Sequence, residues 1–326
     1  MAWNVQFQSG VWLPQIGWWL DAPARTKRSF ISHAHSDHIA RHEEILCTPE
    51  TARFLHVRLP GRRAVTEVPF NRPHALEFGV TATLYPAGHI LGSSQILLQS
   101  EEHGSLLYTG DFKLRQGLTA ETCAAPHADT LIMETTFALP KYAFPAEASV
   151  TSQMVAFCRD AVAEGATPAL LCYSLGKTQE VLRALAPAGL PVMLHPEAIR
   201  LTKIYEQLGV TFPPYREFNA REVAGHIVIC PPHGRSVLNR ILGVRLAAVT
   251  GWALDPGAIY RYRCHSAFPL SDHADYPGLL EFVARVQPKR VYTLHGFARE
   301  FAADLRARGI EAFALGYPNQ LDLALA

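Results

Sequence analysis

The segment 33–38 has the sequence HAHSDH, in which four of six side chains are of types that bind metal ions. It directly follows the apolar run at 30–32, so we expect it at the end of a β-strand. Alternation along a strand places His33 and His35 on one side, whereas Asp37 and His38 in the following turn can reach a second centre. Imidazole and carboxylate groups are common ligands of zinc and related ions. The segment therefore predicts a site for two metal ions.

Two later positions supply the ligands that such a site still lacks. His89 lies in the sequence PAGHILGS, just after a predicted strand and between glycines that allow close approach of the backbone. Asp111 lies in LYTGDF, again at the end of a predicted strand. A carboxylate can bridge two cations, which a neutral imidazole cannot do, so Asp111 is the candidate bridging ligand.

Three further polar residues each end an apolar run. Glu134 lies in LIMETTF, His273 in LSDHADY and His295 in VYTLHG. Glutamate and histidine are the side chains that most often transfer protons in catalysis.

Two patterns of predicted secondary structure along the chain indicate the elements that must position these residues. The first half contains short β-type segments separated by turns, at 28–32, 80–85, 95–99 and 105–108. Thr48 and Pro49 indicate the start of a helix, because threonine caps a helix and proline suits its first turn. After position 145 strands and helices alternate, which is typical of a parallel sheet covered by helices. The last 50 residues predict helix, strand and helix at 277–286, 290–294 and 298–308.

The order of these motifs resembles the metallo-β-lactamase superfamily. H-x-H-x-D-H, then Gly-His, then Gly-Asp are similar to its successive signature motifs. The resemblance implies an αββα sandwich that holds two divalent metal ions, zinc or manganese. It also implies that His33, His35 and His89 bind one ion, that Asp37 and His38 bind the other, and that Asp111 bridges them.

The motifs around Glu134, His273 and His295 resemble those of the β-CASP nucleases, which insert a second α/β domain into this fold. The implied domains are 1–145 with 265–326 for the metallo-β-lactamase part and 146–264 for the insert. The resemblance implies that His295 completes the second metal site and that Asp37 orients the attacking water. It further implies that His273 protonates the leaving oxygen and that Glu134 orients His273 and raises its pKa.

A site for phosphate is predicted where a strand ends and a helix begins, at Ser174, Gly176 and Lys177. Backbone N–H groups and the helix dipole favour an anion there, and lysine adds a positive charge. The alternative is that Ser174 simply caps an ordinary helix. His233 and Arg235 are a second candidate contact to a nucleic-acid backbone.

The phrases YSLGKTQ and SDHADY resemble the DNA-ligase-associated exonucleases of bacteria. They imply a DNA substrate, a 5′ exonuclease activity in DNA repair, and functional association with an ATP-dependent DNA ligase and a helicase. An RNA-processing enzyme of the same fold is the rival interpretation, because RNA-processing β-CASP enzymes share the histidine at 295. A small-molecule metallo-hydrolase is less favoured, since such enzymes do not need a second α/β domain.

Composition excludes several other classes of protein. Hydrophobic residues make up 48% of the chain and charged residues 18%, and the net charge is +1, which fits a globular enzyme without a general attraction to nucleic acid or membranes. The six cysteines form no C-x-x-C pair, which argues against a zinc ribbon. We see neither a signal peptide nor an apolar run of about 18 residues, so we expect a cytoplasmic protein with no membrane partner.

Overall fold

The computed structural model describes residues 2–8 and 10–317, which form two compact units. The first unit comprises the chain up to Gln116, the segment Ala120–Ala143, and the chain from His273 onward. The second comprises Gly117–Thr119 and Phe144–Asp272. The second unit thus begins two residues before the predicted insert of 146–264, ends eight residues after it, and takes in a short segment from the first half.

The first unit contains two sheets. One has the strand order β1-β2-β3-β4-β5-β6, and its strands are Gln6–Phe7, Val11–Leu13, Trp18–Leu20, Arg28–Phe30, Glu44–Cys47 and Ala64–Glu67. Strands β1 to β3 are antiparallel neighbours, whereas β3 to β6 pair in parallel. The parallel half therefore brings the carboxyl ends of β3 and β4 to the same edge.

The other sheet of this unit has seven strands. Their order is β19-β18-β11-β10-β9-β8-β7, and their bounds are His74–Ala75 (β7), Thr81–Pro86 (β8), Ser94–Ser100 (β9), Gly104–Tyr108 (β10), Thr130–Glu134 (β11), Arg290–Leu294 (β18) and Glu311–Ala314 (β19). Strands β10, β11, β18 and β19 are parallel, so β10, β11 and β18 end at one edge as well.

Period-two alternation divides the core of the first unit into layers. Along β10, Leu106 and Tyr108 belong to an apolar cluster with residues of the first sheet, such as Phe30. Leu107 belongs to another cluster, with Phe282 and other helical residues. Successive side chains of a strand point to opposite faces, so the second sheet packs on the first with one face and on helices with the other.

The helices of the first unit complete the sandwich. They are Pro49–Arg58 (α1), Tyr276–Val286 (α6) and Ala298–Ala307 (α7). The predicted cap of α1 is confirmed, because the Thr48 side chain accepts a hydrogen bond from the Thr51 N–H. The unit is the αββα arrangement that the resemblance implied.

The second unit is an α/β domain around one fully parallel sheet. Its strand order is β14-β13-β15-β12-β16-β17, with bounds Thr167–Leu171 (β12), Val192–Leu194 (β13), Tyr215–Glu217 (β14), Ile227–Cys230 (β15), Val244–Val249 (β16) and Ser266–Phe268 (β17). Its α-helices are Glu147–Ala163 (α2), Lys177–Ala184 (α3), Pro196–Gln207 (α4) and Ala258–Tyr262 (α5). The inserted α/β domain expected from the sequence is therefore present.

The apolar interior of the second unit comes from both sides of this sheet. Leu170 and Ile229 pack in a cluster with Met154 of α2, whereas Ala169 and Val228 belong to a separate cluster. No helix in the described parts of the chain is both long enough and apolar enough to cross a membrane.

Candidate metal centre

The predicted ligands gather because the strands of the first unit end together. His33 and His35 follow β4, His89 follows β8, and Asp111 follows β10. His295 directly follows β18. Residues separated by up to 262 positions in sequence are thus brought to one edge of the sandwich.

Three imidazoles and one carboxylate form the first group of ligands. His33 Nε2 lies 3.0 Å from His35 Nδ1, and His89 Nε2 lies 3.1 Å from the same atom. Together with an oxygen of Asp111, these atoms all lie within 4.8 Å of one another. Two nitrogens bound tetrahedrally at about 2.0–2.1 Å from zinc are about 3.3 Å apart. The three imidazoles therefore fit one zinc-sized cation.

The second group of ligands shares the same carboxylate. Asp111 Oδ2 lies 3.3 Å from His38 Nε2 and 3.6 Å from His33 Nε2, so it stands between the two groups. Asp37 Oδ2 lies 3.7 Å from His38 Nε2, and the His295 ring centroid is 5.9 Å from that of His38. Asp37, His38 and His295 therefore lie near one another, but their donor atoms are not gathered as closely as those of the first group.

Sequence analysis missed Asp21, which orients His38. Asp21 is buried, and its Oδ2 accepts hydrogen bonds from His38 Nδ1 at 2.9 Å, the Tyr108 hydroxyl at 2.9 Å and the Ser32 hydroxyl at 2.5 Å. Its Oδ1 accepts a hydrogen bond from the Ser32 N–H at 2.7 Å. The carboxylate thereby keeps a proton on Nδ1 of His38 and leaves Nε2 to face Asp111. The one signal in the sequence was its place directly after β3, which is too common for an aspartate to identify a site.

Burial and charge set the protonation of the centre. Burial lowers the pKa of His33 well below its usual value, and the neighbouring histidines lower it further. A neutral imidazole is the form that binds a metal. Burial alone would also lower the pKa of His38, but Asp111 and Asp21 raise it well above its ordinary value. Burial would raise the pKa of Asp111, yet His38 and its other histidine neighbours hold it well below the usual range. The surroundings of His38 therefore favour a cation, which a proton or a metal can provide.

Two glycines allow the ligand loops to approach the sheet. Gly110, before Asp111, has φ +55°, and a Cβ there would lie 2.4 Å from the Cβ of Ser32. Gly88, before His89, has φ +74°, and a Cβ there would lie 2.5 Å from a backbone oxygen. Both the left-handed backbone and the lack of space require glycine.

Glu134 and His273 form a pair beside the metal ligands. Glu134 Oε1 lies 2.8 Å from His273 Nδ1 and also accepts a hydrogen bond from the Phe112 N–H at 3.0 Å. Its Oε2 accepts a hydrogen bond from the Thr136 hydroxyl at 2.5 Å. The ring centroid of His273 is 4.7 Å from that of His89. The carboxylate therefore orients the imidazole ring of His273 through Nδ1.

The surroundings of Lys177 do not favour the predicted phosphate contact, which remains a prediction. Lys177 is only 2% exposed, and its ammonium contacts Asp272 Oδ1 at 3.0 Å and the Leu270 carbonyl at 2.8 Å. Buried charges need such partners, so a phosphate would have to break this ion pair. The Gly176 N–H also donates to the Gln179 side chain at 2.7 Å. Ser174 is buried, and its hydroxyl makes no hydrogen bond to the described residues, so of the three predicted residues it alone retains an uncommitted polar atom.

The structure places His233 and Arg235 on the 3₁₀ helix Pro232–Arg240 of the second unit. His233 Nε2 lies 2.7 Å from Glu197 Oε2. Arg235 donates through both terminal nitrogens, at 2.8 Å each, to the carbonyl oxygens of Tyr262 and Arg263. Its guanidinium is held by the fold, so a role in neutralising a backbone phosphate does not follow from its position.

Comparison with known proteins adds a family and relatives. Residues 260–315 match the family described as "Zn-dependent metallo-hydrolase RNA specificity domain". The chain is 57% identical over its whole length to a "Probable DNA ligase" of Opitutus terrae, of which it covers 32%. It is 27% identical to "5' exonuclease Apollo" of Gallus gallus over 79% of this chain and 56% of that protein. It is 23% identical to "DNA cross-link repair 1A protein" of Mus musculus over 80% of this chain and 28% of that protein.

The chain spans between about a quarter and somewhat over half of the length of these curated relatives. Their similarity covers both units, and the family match covers the segment that carries His273 and His295. With the αββα sandwich, the inserted α/β domain and the motifs in order, these similarities support the metallo-β-lactamase superfamily, in its β-CASP nuclease branch, as the family of this chain.

Proposed function

We propose that this protein is a metal-dependent nuclease that hydrolyses phosphodiester bonds of DNA, acting as a 5′ exonuclease in DNA repair. The observation that carries the proposal is the pair of ligand groups that share Asp111, with the Glu134–His273 pair beside them. Relatives named as a 5′ exonuclease and a DNA cross-link repair protein support the choice of reaction and substrate.

The proposed cofactors are two divalent metal ions, zinc or manganese. His33, His35 and His89 would hold one ion, Asp37, His38 and His295 the other, and Asp111 would bridge them. Two such ions supply, when bound, an activated water and stabilisation of charge on the phosphoryl oxygens. This donor set of imidazoles and carboxylates suits either metal.

The side chains of the protein then move and hold protons. The Asp37 side chain is 78% exposed, so its carboxylate can accept a hydrogen bond from the attacking water and orient it. His273 donates the proton of Nε2 to the leaving oxygen as its bond to phosphorus breaks. Glu134 keeps the other ring nitrogen in place and stabilises the imidazolium before transfer.

The similarity to a probable DNA ligase supports a functional association with an ATP-dependent DNA ligase. The resemblance to ligase-associated exonucleases extends this proposal to a helicase. In such an association the nuclease would trim DNA ends before they are joined.

RNA is the second candidate substrate, because the matching family is described as an RNA specificity domain and its match includes His295. The deciding experiment compares end-labelled single-stranded DNA and RNA of one sequence, with and without a 5′-phosphate, in zinc and in manganese. Asp111→Asn should lose turnover and bound metal, and Asp160→Asn, an exposed carboxylate of α2, serves as the matched control.

Stepwise shortening of 5′-phosphorylated DNA is the expected result. Internal cuts or a preference for RNA would transfer the protein to the RNA-processing interpretation. Absence of metal-dependent hydrolysis of both polymers would refute the nuclease itself.

A further inference from the structure

The inserted α/β unit contains a cavity that the metal centre does not use. It has a volume of about 210 Å³ and lies past the ends of β12 and β16. Its wall includes Cys172 and Tyr173, which follow β12, and Thr250, which follows β16. The lining also includes Arg235, from the segment after β15, and Tyr262, from α5.

The topology of the sheet explains why a cavity occurs there. Strands β12 and β16 are parallel neighbours. After β12 the chain continues to β13, which lies toward one edge of the sheet, and after β16 it continues to β17, which is the strand at the other edge. Two connections that diverge from adjacent strands leave a crevice outside the carboxyl ends, which is where open α/β sheets bind their ligands.

The size of the cavity restricts the ligand. Its volume is many times the roughly 10–15 Å³ that one water needs, yet it is below the roughly 300–1,000 Å³ of pockets for drug-sized ligands. The apolar part of the lining includes Leu171, Ala248 and Val249. The cavity therefore suits one planar ring system with part of its surface left in solvent.

Two arginines add a positive charge, and none of the described residues in the lining is acidic. Arg235 is fixed by its hydrogen bonds to two carbonyl oxygens at 2.8 Å. A guanidinium held in this way presents a rigid plane for stacking. The Arg261 side chain is 56% exposed, and its contact to Asp255 is 3.4 Å long, so it can turn toward an anion.

An exposed aromatic residue stands at the same place. Tyr173 is 63% exposed, although it directly follows the buried end of β12. Aromatic side chains that remain exposed beside arginines are the groups on which nucleic-acid bases stack.

We propose that this cavity binds a single nucleotide, with the base against Arg235 and Tyr173 and the phosphate at Arg261. The choice of ligand rests on the proposed nuclease function. The nucleotide is either one unit of the substrate strand or a free mononucleotide, and both present the same base and phosphate.

The test measures binding to the metal-loaded full chain in two ways. One arm titrates deoxyadenosine monophosphate by calorimetry. The other uses a single-stranded DNA with phosphorothioate linkages, to slow cleavage, and with fluorescent 2-aminopurine at one position at a time. The variants are Tyr173→Ala and Arg261→Gln. Arg245→Gln is the matched control, because Arg245 is a surface arginine of the same unit that pairs with Glu164 at 2.9 Å.

We expect Tyr173→Ala to weaken binding about 5- to 150-fold, the loss that follows from removing one base–aromatic stack. Quenching of 2-aminopurine at one position should also disappear in this variant. Arg261→Gln should lower the slope of log affinity for the strand against log salt concentration by about one, which is the share of one phosphate contact. Circular dichroism and urea unfolding check that each variant is folded.

A loss in both arms, or in either arm alone, supports the cavity and identifies the source of the nucleotide. If both variants bind deoxyadenosine monophosphate and the strand as the Arg245→Gln control does, the proposal is overturned. Hydrolysis of unmodified DNA by the same wild-type preparation tests the nuclease function separately. If the wild type degrades DNA while both variants bind like the control, only the cavity proposal is refuted.

Discussion

Replacing Asp21 by asparagine should weaken metal binding by one to two orders of magnitude while the protein stays folded. The side chains have the same shape, and Oδ1 can still accept the hydrogen bond from the Ser32 N–H. The change falls on the other atom, which accepts from Ser32, Tyr108 and His38. An amide nitrogen in that position can only donate.

The two hydroxyl groups can respond by rotating and accepting, but the His38 ring cannot. To accept from the new amide, His38 must move its proton from Nδ1 to Nε2, the atom that lies 3.3 Å from Asp111. A charge-assisted hydrogen bond contributes roughly 1.5–3 kcal/mol, which corresponds to about 10- to 150-fold in affinity. Loss of a residue that orients a metal ligand costs about 10- to 100-fold, so the two estimates agree.

The assay is competition for zinc between the protein and a chromophoric chelator, followed by metal analysis of the protein after dialysis. Asp160→Asn again provides a matched loss of one carboxylate from an exposed position. Urea unfolding of the metal-free proteins reports on the fold. If folded Asp21→Asn binds zinc with the affinity of the wild type, Asp21 does not orient His38 for metal binding.

Two other substitutions test the proton-transfer pair and the close approach of a ligand loop. Glu134→Gln should lower kcat about 10²- to 10⁴-fold with a smaller change in KM, because His273 loses its charged partner at 2.8 Å. A rise in KM as large as the fall in kcat would instead indicate a role in substrate binding. Gly110→Ala should lower the free energy of unfolding by about 2–5 kcal/mol, from the left-handed backbone and the clash with Ser32. Gly165→Ala has a similar φ of +76° and no atom within 4 Å, so urea unfolding should show the smaller cost of strain alone.

The strand ends and the ligand motifs could be predicted because their signals are local. The run at 290–294 was predicted as a strand, and β18 is Arg290–Leu294. The helix predicted at 298–308 is Ala298–Ala307. Local apolar periodicity and turn residues determine where such elements begin and end, so a ligand that directly follows a strand can be recognised in the sequence alone.

Asp21 could not be recognised in this way. A single aspartate after a three-residue strand has many ordinary explanations, and nothing near it in sequence shows that His38 and Tyr108 lie beside it. The contact with His38, over 17 residues, depends on the pairing of β3 with β4, and the contact with Tyr108, over 87 residues, depends on how the two sheets pack.

Lys177 illustrates the opposite case. Its sequence environment, a strand end followed by a helix, is that of an anion site, and the structure does begin α3 at Lys177. The ammonium instead pairs with Asp272, which is 95 positions away in sequence. The sequence specifies the charge of a side chain but does not specify whether that charge meets solvent.

The sequence by itself thus determined the elements, the order of the motifs and the chemical types gathered at the centre, because these follow from local propensity and spacing. Only the tertiary structure decided which carboxylate pairs with which cation, as for Asp272 with Lys177 across 95 residues. The physical reason is that tertiary packing determines which charged groups come together. It buries some charges beside partners that are distant in sequence and leaves others, such as Arg261, largely in solvent.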